Sequence, residues 1–123
     1  MILGIGTDII EIERIEKAIL KNERFIEKVF SKEEIDMFKR RNMNIEVIAG
    51  NFAAKEAISK AIGTGIRNFS LNEIEVLRDE LGKPIVKLSK NIEEIIKKKY
   101  RFNISISHNK TTAVSFAILE ETI

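Results

Sequence analysis

Residues 51–65 read NFAAKEAISKAIGTG, and the assignment of this stretch sets the frame for the rest of the chain. Alanines at 53, 54, 57 and 61 and the absence of glycine and proline from 51–62 make that part helical. Asn44 is placed to cap the helix at its start and Gly63 to end it. Gly50 lies inside it at a cost of about 1 kcal/mol relative to alanine, which argues for a close approach at that point. The alanines leave a low surface onto which other atoms can settle. Lys55, Glu56 and Lys60 stand among them, and Gly63-Thr64-Gly65 closes the stretch. Glu56 and Lys60 share one helix face. They form either a solvated i,i+4 ion pair worth a few tenths of a kcal/mol, or a site in which the glutamate holds a hard cation and the lysine acts on a substrate group. Gly63 is accounted for by capping; Gly65 is not, and the pair of glycines around Thr64 also suits exposure of backbone donors to an anion.

N-terminal to this helix, residues 2–10 (ILGIGTDII) are β-branched and glycine-punctuated, which predicts a strand ending near Asp8. Asp8 is either a turn or N-cap residue, or a site carboxylate beside a backbone left open by Gly4 and Gly6. Residues 11–22 change to helical period with Ile12, Ile15 and Ile19 on one face. Arg14, Lys17, Lys21 and Arg24 recur at the same spacing on the other side. That stripe is either an ordinary solvated face or a surface for an acidic partner. Ser31 and Glu34 spell a capping box for a helix over 32–41.

C-terminal to it, residues 71–78 and 84–88 read as strands around the turn DELGKP. Asn91 with Glu94 predicts the start of a helix bearing Ile92, Ile95, Ile96 and Tyr100 on one side. FNISISH alternates strictly, placing Phe102, Ile104, Ile106 and His108 on one face. TTAVSFAIL is nearly all apolar, as a central strand is. The expected architecture is an α+β domain over residues 1–123, an antiparallel sheet packed with helices in the order β-α-α-α-β-β-α-β-β.

The chain has 123 residues, 44% of them hydrophobic and 33% charged, which fits one folded, soluble domain. No apolar run approaches the roughly 20 residues that span a bilayer, and MILGIGTDII lacks the basic start of a signal peptide. The absence of cysteine fits the cytoplasm. With no thiolate and one histidine, His108, a metal must rest mainly on Asp and Glu oxygens, pointing to Mg²⁺ or Mn²⁺. His108 itself is either a satisfied core group or, at the end of its strand before Asn109 and Lys110, a functional one. With 21 basic and 19 acidic side chains, net charge alone does not indicate nucleic acid. A nucleic-acid module using the basic helix is the rival reading, but there is one tyrosine, no tryptophan and no aromatic RNA-binding strand.

Taken in order, GIGTDIIEIERI, the VFSKEE helix start, NFAAKEAISKAIGTG, LGKP and SISHNK resemble the short, single-domain members of the 4′-phosphopantetheinyl transferase family, the holo-acyl-carrier-protein synthases. The resemblance implies Mg²⁺-dependent transfer of the phosphopantetheine arm of coenzyme A to a serine of apo acyl carrier protein. Adenosine 3′,5′-bisphosphate is the product released, and the carrier is activated for fatty acid biosynthesis. It further implies that Asp8 and Glu56 hold the metal and that Lys60 approaches the attacked phosphate, either helping to deprotonate the serine or stabilising developing charge. Lys55, Ser59, Gly63, Thr64 and Gly65 are expected to line the coenzyme A cleft. Gly82, Lys83 and Pro84 are expected near its nucleotide, and His108 close to coenzyme A in a supporting role. Arg14, Lys17, Lys21 and Arg24 are expected to dock the acidic carrier protein. Members are typically homotrimers with sites between subunits. One position departs from the pattern: Asn51 stands where arginine is common, exchanging a charge for a neutral hydrogen-bonding group.

Overall fold

Residues 1–64 and 68–123 are described by a computed structural model. Strand β1 (Ile2–Glu11) runs on past Asp8 and leads directly into helix α1 (Ile12–Lys21). Ile12 and Ile15 of α1 are buried as their spacing predicts, and Ile19 packs beside them. Helix α2 (Phe25–Val29) was not expected, because five residues are too few to display a helical period. Helix α3 (Lys32–Arg40) starts at the expected capping box. The Ser31 hydroxyl accepts from Glu34 N, and Glu34 accepts in return from Ser31 N. Helix α4 (Ile45–Ile62) is capped by Asn44 and ends at Gly63 in the left-handed region, φ 89°.

Residues Leu71–Glu73 form a single 3-10 turn, so strand β2 (Ile74–Arg78) starts later than expected; strand β3 (Pro84–Leu88) pairs with it. Helix α5 (Lys90–Ile96) is capped by Ser89 rather than Asn91. The Ser89 hydroxyl accepts from Ile92 N, while the Asn91 amide donates to Asn68 O and Glu73 Oε1. Tyr100 begins strand β4 (Tyr100–His108) instead of extending that helix. Strand β5 (Thr112–Glu121) is central in an antiparallel sheet ordered β1-β5-β4, as its apolar run predicts.

Helix α4 is buried on nearly every side. One apolar cluster joins its Ile48 and Ala53 to α1, Phe30 and Phe38. A second joins its Ala54, Ala57 and Ile58 to β2, α5 and the inner face of β5. At Gly50, where β4 crosses, a Cβ would lie 2.9 Å from Ile106 Cγ2, so the Ile106 side chain would have to shift.

The buried side of α4 also carries charge. Lys55 and Glu34 have side chains 0% exposed, with Nζ 2.6 Å from Oε1. Lys55 donates further to the carbonyls of Leu71 and Ile74, and its ammonium stands 5.2 Å from the Phe30 ring centroid. Glu34 accepts in addition from Ser31 N, Val76 N and the Asn51 amide. Burial pushes the Glu34 carboxyl up and the Lys55 ammonium down, and each is opposed chiefly by the other's charge. Every buried side-chain polar atom among the described residues has a partner, the condition under which such a pair is tolerated. Replacing Lys55 with methionine strands the Glu34 carboxylate and should cost about 3–5 kcal/mol in urea unfolding. An unchanged midpoint would contradict this role.

Candidate active site

The register of β1 against β5 places Gly4, Gly6, Asp8 and Ile10 opposite Leu119, Ala117, Ser115 and Ala113, on the face turned to α4. Gly4 lies against Ala61 and Gly6 against Ala57: a Cβ at either glycine would sit 1.8 Å from the facing carbonyl oxygen. Two residues of strand advance roughly 6.8 Å and four of helix roughly 6 Å, so the two elements stay nearly in step. The next inward residue of β1 is Asp8, which arrives beside the outer edge of α4.

There Lys60 Nζ lies 3.5 Å from Asp8 Oδ1 and donates to the carbonyl of Thr7 at 2.9 Å. The i,i+4 pair between Glu56 and Lys60 is not among the ion pairs of the described residues; the lysine turns to β1 instead. Desolvation pushes the Asp8 carboxyl above its ordinary value, opposed by Lys60 and then Arg14. Glu56 is raised by desolvation and then by the charge of Asp8, with Lys60 opposing. Two carboxylates that feel one another, one lysine and an arginine from the start of α1 therefore meet at the edge of the β1–α4 contact.

Among the described residues no group of three or more His, Cys, Asp or Glu clusters as a metal cage. Asp8 and Glu56 nevertheless suit a hard cation that keeps few protein ligands and completes its shell with water and phosphate oxygens. Their mutual repulsion is the kind of cost a cation would relieve.

The remaining expected residues fall into separate places. Lys55 and Ser59, expected to line a cleft, point into the core: Lys55 pairs with Glu34, and the Ser59 hydroxyl donates back to the Lys55 carbonyl. Gly63 and Thr64 are exposed at the end of α4, and Gly65 lies outside the described residues. Gly82 (φ 86°) and exposed Lys83 form the β2–β3 turn that leads into Pro84. Gly82 and Pro84 share a cavity of about 310 Å³ with His108, whose Nδ1 is 2.8 Å from Glu46 Oε2. That cavity borders Val47 and Gly50, roughly 9–20 Å along α4 from Glu56 and Lys60. On α1, Arg14, Lys17 and Lys21 are exposed, Lys17 pairing with Glu13. Arg24 lies beyond the end of α1, at the start of α2, so it is not on the helical stripe its spacing suggested. Sequence reasoning missed Arg41 and Arg78, which line the same cavity as His108. Neither residue belongs to a motif; the only local cue is that Arg78 precedes the turn.

The family model of the 4′-phosphopantetheinyl transferase superfamily matches residues 4–118. The chain belongs to that superfamily. Holo-[acyl-carrier-protein] synthase of Clostridium botulinum (strain Eklund 17B / Type B) is 57% identical over 121 residues, covering 98% of both chains. Among solved structures, the holo-(acyl-carrier-protein) synthase of Bacillus anthracis str. Ames, in complex with CoA (3′,5′-ADP), is 42% identical over 99% of each chain with a TM-score of 0.84. The Helicobacter pylori holo-[acyl-carrier-protein] synthase, in complex with coenzyme A, is 33% identical over 94% of this chain and 99% of its own, with a TM-score of 0.83. For this transferase-superfamily chain, Asp8 and Glu56 thus occupy a fold it shares along its whole length with coenzyme A-bound proteins.

A carboxyl whose folded pKa is raised above its unfolded value is destabilising while ionised, and that cost disappears as pH falls through the folded value. Glu56→Gln should therefore raise Tm at pH 7 in metal-free buffer, with the gain over the parent shrinking as the buffer is acidified through the carboxylate range. A variant melting below the parent at pH 7 would contradict the repulsion between Asp8 and Glu56.

Proposed function

We propose that this chain is a holo-acyl-carrier-protein synthase that moves the 4′-phosphopantetheine of coenzyme A onto a serine hydroxyl of apo acyl carrier protein. The observation carrying the proposal is the meeting of Asp8, Glu56 and Lys60 at the β1–α4 contact. The names of its relatives and the coenzyme A held in two similar structures support it.

The serine oxygen forms a bond to the phosphorus that bears pantetheine, and the bond from that phosphorus to the bridging oxygen breaks. Adenosine 3′,5′-bisphosphate leaves with the bridging oxygen, and the serine proton passes to solvent water. Asp8 and Glu56 would hold Mg²⁺, which when bound supplies charge neutralisation at the pyrophosphate. Lys60 is held by two acceptors, the Asp8 carboxylate and the Thr7 carbonyl, and so is oriented as a donor. In this reading it stabilises negative charge developing on the transferred phosphate. Arg14, Lys17 and Lys21, with Arg24 just beyond, give the acidic carrier a basic approach that reaches the site, since Arg14 already acts on Asp8.

A homotrimer with sites between subunits completes the proposal. The outward face of the sheet exposes Ile5 (55%), Ile9 (70%), Val114 (37%) and Phe116 (43%), an apolar surface that neighbouring copies would cover. No helix among the described residues is long and apolar enough to cross a membrane. The cysteine-free composition suits a cytoplasmic enzyme supplying carrier protein for fatty acid synthesis.

Purified protein mixed with apo carrier protein, coenzyme A and Mg²⁺ should add one phosphopantetheine to the carrier by mass spectrometry. A chelator or Glu56→Gln should abolish the gain, and the active species should sediment at three chain masses. Folded protein that leaves several apo carriers unmodified would overturn the proposal.

A further inference from the structure

Lys60 sits in the last turn of α4, one helical turn beyond Glu56. Its spacing offers it Glu56 as a partner, yet its ammonium reaches across to β1 instead. There it donates to the Thr7 carbonyl at 2.9 Å and stands 3.5 Å from Asp8 Oδ1. Glu56 has no ion pair among the described residues. The firmer of the two Lys60 contacts is therefore the neutral one, and the contact with Asp8 is longer than a well-formed hydrogen bond. The Asp8 side chain is 18% exposed and that of Lys60 56%. The carboxylate is thus fixed in the β1–α4 contact, whereas the ammonium rides on a flexible four-carbon stem and can turn away at small cost.

Asp8, Glu56 and Lys60 carry one net negative charge between them. A divalent cation on the two carboxylates reverses that sign, and it does so beside the ammonium, where like charges repel. The Thr7 carbonyl is then the only acceptor left to Lys60, and a single neutral hydrogen bond is a weak tether against such repulsion. A pyrophosphate supplies charged acceptor oxygens in its place. Lys60 and the cation therefore oppose one another while Asp8 is the anion they share, and assist one another once a phosphate is bound.

We infer that Lys60 is a mobile counter-ion, which competes with the site cation for Asp8 until a substrate phosphate takes the lysine over. The inference deepens the proposed reaction and rests on its assignment of Asp8 and Glu56 to one cation. The consequence is an ordering of the site: Lys60 opposes a cation that arrives alone and favours one that arrives with coenzyme A. By linkage, Lys60 strengthens the coupling between the two ligands in both directions.

Titration calorimetry with Mn²⁺, in the absence and presence of saturating coenzyme A and without any carrier protein, tests this with no turnover. Without coenzyme A, Lys60→Met should bind Mn²⁺ about threefold to tenfold more tightly than the parent, between the scales of an exposed and a buried ion pair. Lys60→Arg, which keeps the charge, should stay close to the parent. With coenzyme A bound, the advantage of Lys60→Met should vanish or invert. Glu56→Gln should remove the Mn²⁺ site in both states, which locates the binding measured. Equal or weaker Mn²⁺ binding by Lys60→Met alone would overturn the inference. So would an arginine variant that behaves like methionine, or an advantage that coenzyme A leaves intact. The predicted reversal in a protein that modifies no carrier would uphold the role of Lys60 and reject the transfer reaction. Transfer by a protein whose Mn²⁺ affinity ignores Lys60 would do the reverse, and failure to bind coenzyme A at all would overturn both.

Discussion

Strand β1 rests backbone against backbone on helix α4, and at Gly4 and Gly6 even a methyl group would lie 1.8 Å from a carbonyl oxygen of Ala61 or Ala57. A side chain there cannot be relieved by a rotamer change, because the obstacle is main chain at both positions. The strand and helix must separate or the residues must remain glycine. The rest of the architecture follows from that contact. It sets the distance between sheet and helix and leaves Asp8 as the first inward side chain with room to project. It also brings Asp8 to the edge of α4 that carries Glu56 and Lys60. The chemistry of the site is a consequence of how close two backbones come.

A second constraint acts on the opposite side of α4. Lys55 and Glu34 tie α4 to α3, and the Val76 and Ile74 backbone brings β2 into the same network. Helix α4 is therefore clamped between an apolar seam that requires small residues and a polar seam that requires complete hydrogen bonding. Adjacent residues serve the two ends: Lys55 is structural and Glu56 faces the site. The charged residues of one short helical segment thus answer different needs, and their order around the helix axis keeps them apart.

Much of this was legible in the sequence. The alanines at 57 and 61 announced a low surface, the glycines of GIG an open backbone, and the apolar run TTAVSFAIL a central strand. Ser31 and Glu34 announced a capping box that is present. The same carboxylate, however, holds Lys55 twenty-one positions away, and neither periodicity nor spacing reports a pairing between separate helices. The family resemblance puts Lys55 along the coenzyme A cleft, whereas its side chain turns inward to Glu34. Asn91 and Glu94 have the spacing of a cap, but the Asn91 amide is committed to Asn68 and Glu73, and Ser89 caps α5 instead. Arg41 and Arg78 carried no motif at all. They come together through the packing of α3 on β2, a tertiary fact with no local signature.

The central claim is that the β1–α4 contact brings Asp8 and Glu56 to one cation. Titrating the isotope-labelled protein with Mn²⁺ and following amide line broadening by NMR tests it most directly. The account predicts that amides around Thr7–Ile9 and Lys55–Lys60 broaden first and together, and that Glu56→Gln removes the effect at both segments. Broadening confined to one segment, or centred elsewhere on the fold, would contradict it.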